Sequence, residues 1–468
     1  MKKIFVFTLL FLYSFNASAV PGPTSQMIYA IQKNDYATVK KCLGEGANLD
    51  ATVKDERTGR IITVLELALN NVNRNPQNGA RIFNLLHQYR MDIHQKLSTG
   101  DSVITYAINV LHHADLADFL MKRGISIDEP DTNGRTALVR AVQEGMDERF
   151  IDYLLEKGAN INAIADKKEP LFEYVWLKKD NKPLVKKMLE RTDLLPKTYS
   201  KDEEQYVLKA VEREESELLP LLFDKGAGVD DRNSSRQTPI MLAIKKRNKK
   251  AVMALLDLGA SVDARDSKGK NVFMYVAETG DVSLFKKIVG QSKPDINLKT
   301  NQGKTLLMFA VESGNIEMLK AVLNLSPDVN ASDKTGQTAI MIAADKGNKP
   351  AINLLLSKGA KTNTMNETGQ SALMLFAKGG DIKVFESMLK HKADLNKRDH
   401  NGRSVLWYAA QGTDLSITLK KLELLEEYGS DLSERIDGRY DVTDLIRTPE
   451  TLKDKKYWDF LRKVHANK

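Results

Sequence analysis

The chain has 468 residues, of which 42% are apolar and 28% charged, so it is long and apolar enough to bury an extended core. Its single cysteine excludes an internal disulfide, and packing alone must hold the fold. The formal charge of +8 is mild, and no lysine-rich tail or aromatic platform accompanies it, which argues against nucleic acid as a partner.

Residues 1–19 have the composition of a bacterial secretory signal peptide. Lys2 and Lys3 precede an apolar stretch that ends before an Ala-Ser-Ala cleavage site, which predicts cleavage between Ala19 and Val20. The apolar stretch is shorter than the about 20 residues that a membrane-spanning helix needs. A lipid anchor would require a cysteine where Val20 stands. We therefore expect an exported soluble chain without a membrane span, whose formal charge falls from +8 to +6 when the two lysines are removed.

From there on the chain is periodic. Gly269, Gly303, Gly336, Gly369 and Gly402 follow one another at intervals of 33 or 34 residues, and the sequence around each is similar. A period of this length is typical of repeat proteins that stack identical supersecondary units.

The unit that begins at Asp333 shows the expected local structure. Asp333 and Gly336 predict a tight turn, and Thr338 can cap a first helix that ends at Gly347. Apolar residues at helical spacing then predict a second helix, which ends at Gly359. Because about 33 residues are too few for an independent core, the units must stack and cover one another.

Two short motifs recur in these units. The first reads "TALVRA" from Thr136, "TPIMLA" from Thr238, "TLLMFA" from Thr305 and "TAIMIA" from Thr338, and a closing motif reads "GANIN" or "GAKTN". This pattern resembles the ankyrin repeat over roughly residues 25–436. The resemblance implies an all-α solenoid of roughly 11–12 helix-turn-helix repeats with β-turn fingers and end caps, and a non-catalytic protein that binds other proteins.

The repeats divide the chain into segments. The pattern predicts a signal peptide over 1–19, an N-terminal capping repeat over 20–52, repeats with insertions over 53–163, degenerate repeats over 164–232, regular repeats over 233–436 and a C-terminal capping helix over 437–468. The insertions, "VKDERTGRII" and "NNVNRNPQNGA", are expected to form loops on one face. Cys42 is expected to be a buried, inert thiol. In the closing helix, Tyr457, Trp458 and Phe460 are expected to lie against the last repeat.

One position departs from the family pattern. Where ankyrin repeats usually have histidine, this chain has Met241, Met308, Met341 and Met374, with Trp407 in the last clear copy. We expect the methionines to fill gaps between stacked helices rather than to line a ligand groove.

The sequence contains no recognisable catalytic or metal-binding pattern. The seven histidines form no cluster at ligand spacing, and neither a G-x-S-x-G motif nor a phosphate-binding loop occurs. We therefore expect neither an enzyme nor a cofactor or metal site.

The resemblance also implies a binding groove, lined by turn tips and by the exposed side of each first helix. Alignment of the copies places the outward helix positions at Trp176, Glu212, Arg213, Lys245, Lys246, Glu278, Glu312, Asp345, Lys346, Lys378 and Gln411. The finger tips are placed at Arg135, Gln237, Lys270, Lys304, Gln337, Gln370 and Arg403. Trp176 has two interpretations, a binding anchor or, if the alignment slips by one residue in a degenerate repeat, part of the core.

These observations favour a protein-binding scaffold, monomeric alone, in the bacterial periplasm. One specific form is an inhibitor that clasps an exported hydrolase such as a cell-wall enzyme. The alternatives are an extracellular effector that binds a host protein and a periplasmic stress-protective factor. The residues do not separate these roles, although the basic cluster around Lys245 and Lys246 suits an acidic partner.

Overall fold

A computed structural model describes residues 22–55, 58–166, 169–179, 181–191, 206–379, 381–433, 441–448 and 450–466. The predicted signal peptide, with its cleavage site between Ala19 and Val20, lies outside the described residues. Packing divides the chain into two compact units, Met1–Glu204 and Gln205–Lys468.

The N-terminal unit consists of short helices and two small hairpins. Its helices are α1 (Pro23–Gln32), α2 (Tyr36–Gly44), α3 (Val64–Arg74), α4 (Pro76–Gln88), α5 (Val103–Thr105), α6 (Ala114–Met121), α7 (Ala137–Glu144), α8 (Glu148–Glu156), α9 (Leu171–Glu173) and α10 (Lys182–Glu190). The short helices α5 and α9 are single turns. Helix α5 continues as a π-helical turn over Tyr106–Val110, and α9 continues as one over Tyr174–Lys179. The antiparallel hairpins are β1 (Thr52–Lys54) with β2 (Ile61–Thr63), in which Val53 pairs with Ile62, and β3 (Ile164–Asp166) with β4 (Glu169–Pro170).

Helices of the first two repeats pack in pairs. Helix α1 packs on α2 and α3 on α4, while α1 also contacts α3 and α2 contacts α4. Cys42 lies in this core, and burial raises the pKa of its thiol, as expected for an inert cysteine.

The two insertions do not both form loops. The segment "VKDERTGRII" forms the β1–β2 hairpin, whereas "NNVNRNPQNGA" spans the end of α3 and the start of α4. These helices are therefore long, with 11 and 13 residues. The prediction of a loop is wrong for this second insertion, because Pro76 begins a new helix and Gly79 allows that helix to pack against α3.

The C-terminal unit repeats a pair of helices. Its helices are α11 (Tyr206–Glu212), α12 (Leu219–Asp224), α13 (Pro239–Lys245), α14 (Lys249–Asp257), α15 (Val272–Thr279), α16 (Val282–Gln291), α17 (Leu306–Glu312), α18 (Ile316–Leu323), α19 (Ala339–Asp345), α20 (Lys349–Ser357), α21 (Ala372–Ala377), α22 (Ile382–Lys390), α23 (Val405–Ala410), α24 (Leu415–Glu427), α25 (Val442–Leu445) and α26 (Lys455–Ala466). Single 3₁₀ turns lie at Ser216–Leu218 and Thr451–Lys453.

The core of this unit is formed by its first helices. Helices α13, α15, α17, α19, α21 and α23 pack side by side, and each also packs on the second helix of its own repeat. In α19, all residues from Ala339 to Ala344 are buried, because neighbours cover the helix on both sides. The four methionines are buried in these helices as expected: Met241, Met308, Met341 and Met374.

The turns of successive repeats are joined by backbone hydrogen bonds. In most turns the first side chain accepts from the backbone amides two and four residues later, as Asp333 does from Thr335 and Gln337. The glycine of that turn, Gly336, has a φ of 74°. Thr300 accepts only from the amide four residues later, that of Lys304. In each link between turns, a backbone N–H donates to a carbonyl of the preceding repeat. The donors and their acceptors are Ser267 to Ser235, Asn301 to Lys268, Lys334 to Gln302, Glu367 to Thr335 and His400 to Thr368.

Side chains also connect equivalent positions of neighbouring repeats. The Arg232 guanidinium donates to the carbonyl of Arg265 (3.0 Å), Arg265 donates to that of Lys299 (2.8 Å), and the Lys299 ammonium donates to that of Ser332 (2.9 Å). We call these three side chains the basic ladder. Each member satisfies a backbone acceptor of the next repeat and thereby fixes the distance between turns.

The closing helix α26 agrees with the expectation at two of three aromatic residues. Tyr457 and Phe460 are buried, whereas Trp458 is 47% exposed and donates its indole N–H to the carbonyl of Leu452 (2.8 Å). The prediction for Trp458 is wrong because adjacent residues on a helix point in different directions, so Tyr457 and Trp458 cannot both face the last repeat.

Candidate protein-binding surface

The predicted helix positions in the C-terminal unit lie at or just after the last turn of each first helix. Those that are exposed are Glu212, Lys245, Lys246, Glu278, Asp345, Lys346 and Lys378, and those that are half-buried are Arg213, Glu312 and Gln411. We call these ten residues the helix-end row. Because the repeats recur at nearly constant intervals on packed helices, the row presents one or two polar side chains per repeat on a fixed frame.

Trp176 does not belong to such a surface. Its side chain is 1% exposed and packs edge-on against Phe172, with ring centroids 5.6 Å apart. The prediction that it faces outward is wrong, and its alternative interpretation as a core residue is the one found. It lies in a π-helical turn, where the backbone departs from the regular repeat, so alignment to the regular copies assigned the wrong face.

The seven predicted finger-tip residues are all half-buried. The exposed ends of the turns lie two or three residues earlier, for example at Lys334 and Thr335 or at Glu367 and Thr368. The residue that follows the turn glycine returns towards the first helix, and its side chain packs there. The predicted tips were therefore placed too late in the turn.

Several of these residues bind their own chain. Lys270 pairs with Glu278 and Lys304 with Glu312, each at 2.5 Å, and Arg135 pairs with Asp131 at 2.9 Å. These pairs connect a turn to the end of the helix that follows it or to the start of the turn itself. They reduce the charge that the turns present to a partner.

Two glutamines join neighbouring repeats through a tyrosine. The Gln237 amide donates to the Tyr275 hydroxyl (2.6 Å), which donates to Asp266 (2.8 Å). Burial raises the pKa of Tyr275 above its usual range. In a second copy of this triad, the Gln370 amide donates to the Tyr408 hydroxyl (2.9 Å), which donates to Asp399 (2.7 Å). The positions of Gln237 and Gln370 are thus explained by contacts within the stack.

The guanidinium of Arg403 lies over the ring of Trp407, 4.3 Å from its centroid. Trp407 occupies the position of the buried methionines, but it is only half-buried. Its larger ring extends to the surface, where Arg403 covers it.

The densest charge on this surface is a segment that we call the basic loop, residues 245–250 ("KKRNKK"). All five of its cationic side chains are exposed. Asn248 caps α14 by accepting from the Ala251 amide (3.0 Å) and also accepts from the Ser216 hydroxyl (3.4 Å) of the preceding repeat.

A buried lysine is a feature that sequence reasoning missed. Lys421 on α24 is 1% exposed, and its ammonium donates to the carbonyls of Ala377 (2.8 Å) and Gly379, at the end of α21. Burial lowers its pKa to about 8. The only signal in the sequence is that a lysine occupies the apolar face of a helix, and such lysines usually extend to solvent.

No group of three histidine, cysteine or acidic residues that could hold a metal ion occurs in the part of the chain that the structure describes. Among these same residues, no helix is both long and apolar enough to cross a membrane.

Stacked helix pairs with linked turns and an exposed polar row define a repeat scaffold for protein interaction. The family model for ankyrin repeats in three copies matches residues 69–165, 174–271, 273–366 and 359–435. The chain therefore belongs to the ankyrin-repeat family, and the predicted fold is confirmed.

Comparison with individual proteins adds a structural neighbour. No curated protein matches the sequence. The crystal structure of the ankyrin-repeat domain of Bcl-3, described as a unique member of the IkappaB family, is similar at 22% identity with a TM-score of 0.40. That alignment covers 48% of this chain and 100% of the Bcl-3 chain.

Proposed function

We propose that this protein acts in the bacterial periplasm as a non-catalytic scaffold that clasps a second exported protein and restrains its activity. The observation that supports binding is the helix-end row, in which exposed charged side chains follow one another on packed helices. A rigid surface of this kind loses little conformational entropy when a partner binds.

The periplasmic location rests on the sequence of residues 1–19, which is typical of an exported protein. Cell-wall hydrolases are the partner class that we favour, because they share this compartment and a cell must restrain them. A groove that spans several repeats can cover the active site of a globular enzyme.

The test begins with a photo-crosslinking amino acid at Lys346 in living cells, followed by fractionation and identification of the captured protein. The purified chain beginning at Val20 is then added to that protein. We expect hydrolase activity to fall in proportion to the complex formed. Capture of a hydrolase whose activity is unchanged in the complex would refute inhibition.

Matched variants report whether the helix-end row is the interface. We expect the double variant Lys346→Glu and Lys378→Glu to weaken binding about tenfold, because charge reversal turns attraction into repulsion. Lys358→Glu with Lys361→Glu, two exposed changes at the C-terminal end of second helix α20 and just after it, has the same change in charge. This control should bind as the parent does. Equal weakening by both would show that net charge, rather than this surface, determines binding.

A further inference from the structure

Most of the charge of the basic loop is not neutralised by its own chain. Lys249 pairs with Asp281 at 3.5 Å. Lys245, Lys246, Arg247 and Lys250 form no ion pair with any carboxylate that the structure describes. Four neighbouring cations therefore repel one another, and their mutual repulsion would be relieved by an external anion.

The flanking loops contain carboxylates, but two of these are engaged elsewhere. Glu215 is buried and pairs with Arg213 (2.9 Å), and Glu278 pairs with Lys270. These two carboxylates are therefore engaged away from the basic loop, whereas Glu212, Glu214 and Glu217 of the preceding loop are exposed.

The backbone at Arg247 shows that the turn does not require a cation at this position. Arg247 has a φ of 58°, in the left-handed region that disfavours most residues other than glycine. The equivalent positions of the next three repeats are Gly280 (73°), Gly314 (72°) and Gly347 (61°). Glycine would therefore fit here without strain, so the turn itself does not require the arginine. The preceding repeat has Glu214 in the same conformation (61°), where the side chain is an anion instead.

The same loop exists elsewhere in the chain with three fewer cations. Residues 345–350 read "DKGNKP" and repeat the backbone hydrogen bonds of the basic loop. In both, the amide of the asparagine, Asn248 or Asn348, donates to the alanine carbonyl five residues earlier at 2.9 Å. The fold does not require Lys245, Arg247 or Lys250, because the same frame forms with aspartate, glycine and proline at the equivalent positions.

We infer that the basic loop is the docking site for an acidic segment of the partner protein. This inference rests on the proposed function, since it assumes that the partner is a protein. The acidic segment must be narrow, because exposed Glu212, Glu214 and Glu217 lie on the preceding loop and Glu278 on the next. Packed helices lie about 10 Å apart, so a broad anionic surface such as a membrane would meet these carboxylates.

The first test uses fluorescence anisotropy with a labelled peptide in which a run of glutamates is flanked by glycine and serine. The variant Lys245→Asp, Arg247→Gly, Lys250→Pro changes the basic loop to the sequence of residues 345–350 and should keep the fold. We expect it to bind the peptide at least about tenfold more weakly at low salt, with the difference shrinking at high salt. Equal binding by parent and variant would overturn the inference.

Two single substitutions form a matched pair. Glu214 has a φ of 61°, close to that of Arg247. Arg247→Gly and Glu214→Gly should therefore both relieve backbone strain and raise the melting temperature. Only Arg247→Gly removes a cation, so we expect it to weaken peptide binding about threefold. Glu214→Gly should leave binding equal or stronger. A loss of binding in both would indicate a structural effect and contradict docking by charge.

Vesicles that contain phosphatidylglycerol separate the protein partner from a membrane. We expect the parent chain to bind these vesicles more weakly than it binds the peptide. We also expect the loop substitutions to leave vesicle binding unchanged. Vesicle binding that is abolished by those substitutions would overturn the inference in favour of a lipid surface.

The outcome also distinguishes this inference from the proposed function. If the variant with three substitutions captures and inhibits a hydrolase as well as the parent does, the docking site is wrong and the proposed function stands. If the peptide docks on the basic loop but no exported enzyme is inhibited, the docking site stands and the inhibitory role fails.

Discussion

Replacement of Gly79 by alanine is expected to lower the free energy of unfolding of the N-terminal unit by about 2 kcal/mol. A Cβ atom at this position would lie 2.7 Å from the carbonyl oxygen of Asn71 and from the amide nitrogen and Cα of Val72. These are backbone atoms of α3, so the clash is relieved only if α3 and α4 move apart. The change in stability can be measured by chemical denaturation followed by circular dichroism.

Gly44→Ala in the same unit is the control, and its expected effect has the opposite sign. Gly44 ends α2, and no described atom lies within 4 Å of a Cβ built there. Alanine in an open helical position stabilises by about 0.5 kcal/mol, because it loses less backbone entropy on folding than glycine does. Destabilisation by both substitutions, or by neither, would show that close packing at Gly79 is not what selects glycine.

Replacement of Lys421 by methionine is expected to lower the free energy of unfolding of the C-terminal unit by about 2 kcal/mol at neutral pH. Methionine fills a similar space but cannot donate to the carbonyls of Ala377 and Gly379. Those acceptors would stay buried without their donor. Removal of the buried charge offsets part of this loss, so an unchanged stability would show that the two hydrogen bonds stabilise the fold by no more than burial of the charge costs.

The same lysine predicts a pH dependence. Its pKa is about 8 in the folded protein and 10.5 in the unfolded chain, so between these values the unfolded chain holds more protons. Stability contributed by Lys421 therefore rises with pH from 8 towards 10, by about 2 kcal/mol relative to Lys421→Met. Exposed Lys420→Met, which should show no such rise, is the control. Parallel pH curves for the parent and Lys421→Met would contradict the prediction.

The repeating unit could be predicted because each repeat specifies its own local structure. Asp333 closes the turn through bonds to amides two and four residues away, and Gly336 adopts the positive φ that the turn needs. These are local contacts, and they recur in most of the regular copies. The same reasoning failed at Trp176, where the π-helical turn shifts the face that the side chain presents.

Contacts between repeats could not be predicted in this way. Gln237 was assigned to the binding surface because the sequence does not show that it pairs with Tyr275, which stands 38 residues later and belongs to the next repeat. Lys421 escaped attention because the carbonyl of Ala377 lies 44 residues earlier. A periodic sequence reveals what each repeat shares with the others, but it does not show which side chain pairs with which acceptor in the adjacent repeat.

The basic ladder has a consequence for how such a chain can change during evolution. Arg232, Arg265 and Lys299 each bind a main-chain carbonyl of the following repeat, and every residue type supplies that group. This hydrogen bond therefore does not depend on which side chain stands at the acceptor position of the next repeat. Unequal recombination could delete or duplicate a block of 33 residues, the interval from Gly303 to Gly336, and the new neighbours would still join. The chain can thus gain or lose binding surface one repeat at a time, while the binding residues of each repeat diverge independently.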